Sequence, residues 1–144
     1  MKIQKIQLIG LLVLILALSI IISHFIAAVA IIGLPVIISL ATGLIMFTDN
    51  GFSILTKAVI AYLFIGLNDI GIKLFAGGIH DYEGLGWIHM MLFIGLVPSI
   101  IMLLIGTFRD KNSNIWIKLG SILIFVILIS VHFLLFKKLG VPVS

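Results

Sequence analysis

Most groups in this chain that could do chemistry lie between Tyr62 and His89. On a helix, Tyr62, Gly66, Asp69, Lys73, Ala76 and His80 recur at steps of four and three residues, so they line a single face. Gly77 and Gly78 break that helix. His80, Asp81, Tyr82 and Glu83 follow at once, and Trp87 and His89 open the next apolar segment.

Asn68, Asp69 and Lys73 form the sharpest of these signals. An ionisable group inside a membrane span costs roughly 2.5–3.5 kcal/mol on insertion scales, so it faces a cavity or another polar group. Asp69 stands four residues before Lys73, the favourable order for a helical ion pair. One reading is a neutralising staple with Lys73 snorkelling outward. The other is a working carboxylate on an ion or proton path. Asn68, Asp69 and Lys73 are read as lining such a path, the ordinary role of intramembrane charge. His132 joins them, because it shares a helix face with Ser121, Phe125, Leu128 and Phe136 while the opposite side is aliphatic. A histidine there either clamps two helices by hydrogen-bonding a carbonyl or takes part in the path.

A second set, His24, His80, Asp81, Glu83 and His89, offers nitrogen and oxygen donors at one depth. Its spacing matches no metal motif: there is no His-x-x-x-His on a helix and no His-Glu-x-x-His. Interfacial polarity is the plainer reading, with His-Asp-Tyr-Glu capping a helix that starts near Trp87. Histidines beside carboxylates nevertheless titrate near neutral pH, which keeps proton handling open without a metal. No cofactor is assigned. Trp87, Tyr82 and Trp116 suit membrane-interface anchors, and Met90 and Met91 suit packing.

Other chemistry finds no support in the residues. Cysteine is absent, which removes disulfides, thiolate metal sites and cysteine nucleophiles. No serine sits in a recognisable nucleophile arrangement, and Gly77-Gly78 lacks the context of a phosphate loop. An enzyme built from this chain would have to act on lipid at the outer leaflet through its histidines and carboxylates, so enzymatic activity is left open.

The elements that must position these groups follow from composition. The chain has 144 residues, of which 62% are hydrophobic and 10% charged, and its mean hydropathy is +1.42. A globule this small could not hide so much apolar surface, so the fold class expected is an all-α polytopic membrane protein forming one bundle over residues 1–144. The formal charge of +4 comes from basic residues scattered at segment ends, without aromatic interleaving. They fit orientation in a bilayer and give no reason to expect a nucleic-acid partner.

Between Lys5 and Asp49 no residue carries a fixed charge. One helix of that length would measure roughly 65 Å, twice the hydrocarbon thickness, so the run must fold back. A turn near Ser23 to Ile26 divides it into helices at about 4–23 and 27–47, with Pro35 kinking the second. Further helices are expected at about 53–76, 87–107 and 115–136, separated by Thr48-Asp49-Asn50-Gly51, by the glycine-rich stretch Gly77 to Gly86, and by Arg109 to Asn114. That makes five transmembrane helices, or four if the first run is arranged differently. Lys2 and Lys5 before an apolar run, with Ala28-Val29-Ala30 beyond it, resemble a signal peptide, but the run exceeds the usual h-region of roughly 7–15 residues. A retained signal-anchor helix is expected.

A cytoplasmic N-terminus puts Lys2, Lys5, Lys57, Arg109, Lys111 and Lys118 inside, against Lys73, Lys137 and Lys138 outside. The four histidines then fall at or near the outer face of the cell membrane. Ser19, Ser23, Ala27 and Ala30, and Ser39 with Gly43, are small residues at helical spacing. They permit close packing within the bundle or in a homo-oligomer. The leading expectation is an oligomeric channel, transporter subunit or ion- or proton-conducting assembly with its site in the outer half of the membrane. A membrane enzyme or metal-binding protein, and an accessory subunit of a larger membrane complex, stand beside it.

Overall fold

The computed structural model describes residues 3–76 and 81–141 of the chain. Five helices account for nearly all of them: α1 Lys5–Phe25, α2 Ala27–Phe47, α3 Ile54–Phe75, α4 Tyr82–Arg109 and α5 Ile115–Phe136. Each is long and apolar enough to cross a membrane. The five-span arithmetic therefore holds, and the four-helix arrangement falls away.

The first reversal happens at one residue, Ile26, which both ends α1 and starts α2 with φ −140° and ψ 72°. Its N–H closes the last turn of α1 on the Ile22 carbonyl, and its own carbonyl accepts from Val29 and Ala30. No glycine or proline marks this turn. The span limit of the bilayer decides that it must occur. The Ile3 N–H donates to the Asp49 carbonyl at 3.0 Å, so α1 starts beside the end of α2 and the two helices run antiparallel.

Helix starts follow local chemistry. Ser53 and Asn114 cap α3 and α5 by accepting the backbone N–H groups of Thr56 and Ile117. Asp81 accepts from Gly84 N–H at 2.7 Å and starts α4 at Tyr82, five residues earlier than the expected start near Trp87. Glu83 in the first turn adds negative charge at the positive end of the helix. Gly84 and Gly86 are accordingly helical rather than part of a loop.

Two seams organise the bundle, each between parallel helices. Along α2 and α4, Pro35 and Ile38 meet Gly95, Gly43 meets Met102 and Met46 meets Gly106. Along α3 and α5, Gly66 and Asp69 meet His132, and Lys73 reaches the Phe136 carbonyl. Helix α1 closes on α3 through Ile20 against Gly71 and Ser19 against Asn68. Helix α3 thus stands at the centre, with 56% of its most apolar stretch buried, against 22% for α1 and 17% for α5. The small-residue stripe is consumed inside the chain: Ser19, Ser23, Ala27 and Ala30 are all buried.

Candidate functional site

Helix α5 is almost wholly aliphatic and turns only Ser121, Phe125 and His132 fully inward. An imidazole facing lipid would lose its hydrogen bonds to water without replacement, so the helix seats on the face that gives His132 a polar partner. That partner is Asp69 on α3.

Asp69 is completely buried. Its Oδ2 receives Lys73 Nζ at 2.6 Å and His132 Nε2 at 2.9 Å. Lys73, 2% exposed, also donates to the Phe136 carbonyl at 3.1 Å, where the C-terminal end of α5 contributes partial negative charge. The ammonium is therefore turned into the bundle rather than snorkelling outward. His132 is seated by its neighbours, with the Tyr62 ring edge-on at 6.1 Å between centroids and the Phe136 ring at 4.9 Å. Gly66 lies under its Nδ1 edge. A side chain at that position would bring a Cβ to 3.1 Å from Nδ1.

Next to this group, Ser19 Oγ donates to Asn68 Oδ1 at 3.0 Å. Three buried atoms of the cluster have no partner among the protein groups described: Asp69 Oδ1, Asn68 Nδ2 and His132 Nδ1. An orphaned polar atom in a low-dielectric interior is costly, and three in one cluster set it apart from the rest of the bundle. The C-terminal segment covers the cluster. Gly140, at φ +88°, packs so tightly on the Lys73 carbonyl that no side chain fits there. Leu139 and Val141 close the space between Lys73, Asp81, Leu85 and Ile88.

Of the residues singled out from the sequence, Asn68, Asp69, Lys73 and His132 come together, and Tyr62 and Gly66 join them. The second set does not assemble. His24 is exposed with its ring on Phe25. Asp81 is occupied as the cap of α4, and Glu83 is exposed. His89 packs on Phe133 at 5.2 Å, within electrostatic range of Lys73 and Asp69 but bonded to neither. His80 lies outside the described residues. Among those described, no group of three or more metal-ligating side chains forms. Tyr82, Trp87 and Trp116 are all at least half exposed, as interface anchors should be.

Sequence reasoning missed the Ser19–Asn68 bond and the C-terminal cover. For the first there was a signal, since Ser19 was already in the small-residue stripe and Asn68 adjoins Asp69. A cleft of about 630 Å³ is at the opposite end of the bundle from the buried charges. Thr48, Asp49, Lys57, Arg109, Asp110 and Ser113 are among its lining residues. Lys57 within it is committed to the Thr48 carbonyl at 2.9 Å and the Met46 carbonyl at 3.4 Å, closing the end of α2. The buried cluster carries the less ordinary chemistry. No protein family, curated protein or solved structure matches this chain.

Proposed function

We propose that the chain is an ion-translocating protein of the cell membrane, a small channel or transporter subunit in which Asp69 binds and releases the ion. The observation that carries this reading is a fully buried carboxylate with one oxygen committed to two internal donors and the other without a partner among the described residues. A purely structural carboxylate has no reason to keep a bare oxygen in an apolar bundle. In the empty state, Lys73 and His132 neutralise and orient Asp69, standing in for the ion. Arrival of a positive ion at Asp69 weakens their hold, and its departure restores it, so the site has two states of similar energy.

The chain is oriented with its N-terminus in the cytoplasm, which puts the cluster in the outer half of the membrane. Reporter fusions at Asn50, Asp81 and Asn112 are expected to read inside, outside and inside. Any oligomer would associate through the exposed faces of α1 and α5, because the small-residue stripe is already used within the chain. Such an assembly would supply the pathway that one sealed bundle lacks.

The test is ion flux in proteoliposomes. Asp69→Asn keeps the size and hydrogen-bonding capacity but cannot ionise. A loss of flux of at least about tenfold in a folded protein is expected. Full flux in a folded Asp69→Leu/Lys73→Met double variant would remove the site and leave the accessory-subunit role ahead.

A further inference from the structure

We propose that the ion is a proton, and that it crosses the imidazole of His132 from Nδ1 to Nε2 to reach Asp69; this rests on the translocation reading above. The donor set argues against a metal cation. A hard cation such as calcium takes about six to eight oxygen ligands, and magnesium about six. This cluster presents one free carboxylate oxygen, Asp69 Oδ1, since Oδ2 is shared by two donors and Asn68 Oδ1 is taken by Ser19. The Asn68 amide nitrogen, also without a partner among the described residues, is a donor. Lys73 Nζ, 2.6 Å from Oδ2, would repel any second cation that kept its charge. A proton needs a single lone pair.

His132 has that lone pair. With Nε2–H donating to Asp69, the neutral ring carries its lone pair on Nδ1, which is buried and has no donor among the described residues. A hydronium gives its proton to Nδ1, forming the Nδ1–H bond and an imidazolium and leaving water. The Nε2–H bond then breaks towards Oδ2, leaving a neutral carboxylic acid on Asp69 and a neutral imidazole in the other tautomer. Lys73 loses its anionic partner in that state but keeps the Phe136 carbonyl. Transfer of the proton from Asp69 to a water molecule, which leaves as hydronium, restores the ion pair. Return of the ring to its first tautomer, by rotation or by reverse transfer, resets the site.

Gly66 sets how closely α3 approaches the ring: a Cβ there would stand 3.1 Å from Nδ1 and 3.3 Å from Cε1, crowding the edge that accepts the proton. The other groups around the ring are Tyr62, Asp69 and, through the shared Oδ2, Lys73 from α3, and Phe136 from its own helix; His89 on α4 lies within electrostatic range of Asp69 and Lys73. Neither α1 nor α2 presents a titratable side chain to it. The α1 contribution to the cluster is the Ser19 hydroxyl on Asn68.

The experiment pairs flux with a spectroscopic readout on the full chain in proteoliposomes. Dye-reported proton flux under an imposed potential is measured in sodium, potassium and lithium buffers, and the ¹⁵N signals of the histidines are followed with pH. The expected result is flux independent of the alkali cation, with a His132 signal that changes protonation or tautomer. His132→Gln, whose amide can still donate to Asp69 but cannot relay, is expected to lose at least about tenfold of the flux. Gly66→Ala, which leaves every hydrogen-bonding group in place, is expected to lose several-fold. Flux that requires sodium or lithium would overturn the proton assignment and leave translocation standing. A titrating His132 with no flux of any ion would overturn translocation while keeping the proton site. Undiminished flux in folded His132→Gln would overturn the relay.

Discussion

The α2–α4 and α3–α5 seams join parallel helices in the same bundle, yet they are held by different physics. Along α2–α4 the contacts are of shape. Gly95 and Gly106 let Ile38 and Met46 approach the α4 backbone, and Ser39 and Ser99 bond to carbonyls within the two helices. No ionisable group takes part, and apart from one long bond from the Ser39 hydroxyl to the Gly95 carbonyl at 3.4 Å the contacts are short-ranged dispersion between close-packed atoms. Along α3–α5 the join is made by charge and hydrogen bonds at one depth, through Asp69, Lys73, His132 and the Phe136 carbonyl. The first seam has one good arrangement, because sterics forbid others. The second joins three ionisable groups, so its strength depends on their charge as well as on their fit.

The difference can be broken most sharply at Asp69. Asp69→Leu leaves an ammonium and an imidazole buried without their carboxylate, a change expected to destabilise by ~3–5 kcal/mol in thermal unfolding in detergent. Adding Lys73→Met should recover most of that loss, since apolar replacement of a whole buried pair is often near neutral. A double variant as unstable as the single one would mean that the α3–α5 seam works by shape after all.

On the other seam, Gly95→Ala puts a Cβ 2.6 Å from Ile38 Cδ1 and 2.7 Å from Pro35 Cα. Backbone cannot move aside as a side chain does, so a loss of about 1–3 kcal/mol is expected. Flux per folded molecule should be unchanged. Reduced flux at full folding would join the two seams functionally.

Ser19→Ala removes the hydroxyl donated to Asn68 Oδ1 and leaves that amide short of a partner, for an expected loss of ~1 kcal/mol. A larger loss of flux than of stability would extend the site onto α1. The smallest effect is expected outside both seams, at Asp110. The Ser113 hydroxyl and the Asn112 backbone N–H hold its carboxyl below the usual carboxylate range. The stabilisation this gives is present above the carboxyl's unfolded value and is lost as pH falls through the lowered one. Asp110→Asn should flatten a slight acid-side decline in thermal stability without altering flux.

Much of this organisation was legible in the residues. The face carrying Tyr62, Gly66, Asp69 and Lys73 follows from helical spacing, and its residues do converge on one site. The start of α4 was placed too late because hydropathy registers only the apolar residues after Trp87. Its first turn is set by a single side chain, Asp81, acting on Gly84 N–H. The histidines at similar depth suggested one outer cluster, but depth says nothing about azimuth. His24 and His89 point to different neighbours from His132.

Composition and length favoured five spans and a reversal near Ser23 to Ile26 over a four-helix arrangement, because transfer into a bilayer depends on composition and on length at about 1.5 Å per residue. The sequence by itself determined that Asp69 and Lys73 could pair, since four residues on a helix bring them together wherever that helix goes. Only the tertiary structure decided that His132, 63 residues from Asp69, completes the group, and that Ser19, 49 residues from Asn68, supports it. Helix α5 could have offered its lipid-compatible surface to any neighbour. Which helix it met was settled by the sum of side-chain packing and by the one polar group that needed a partner, and neither can be read from local spacing.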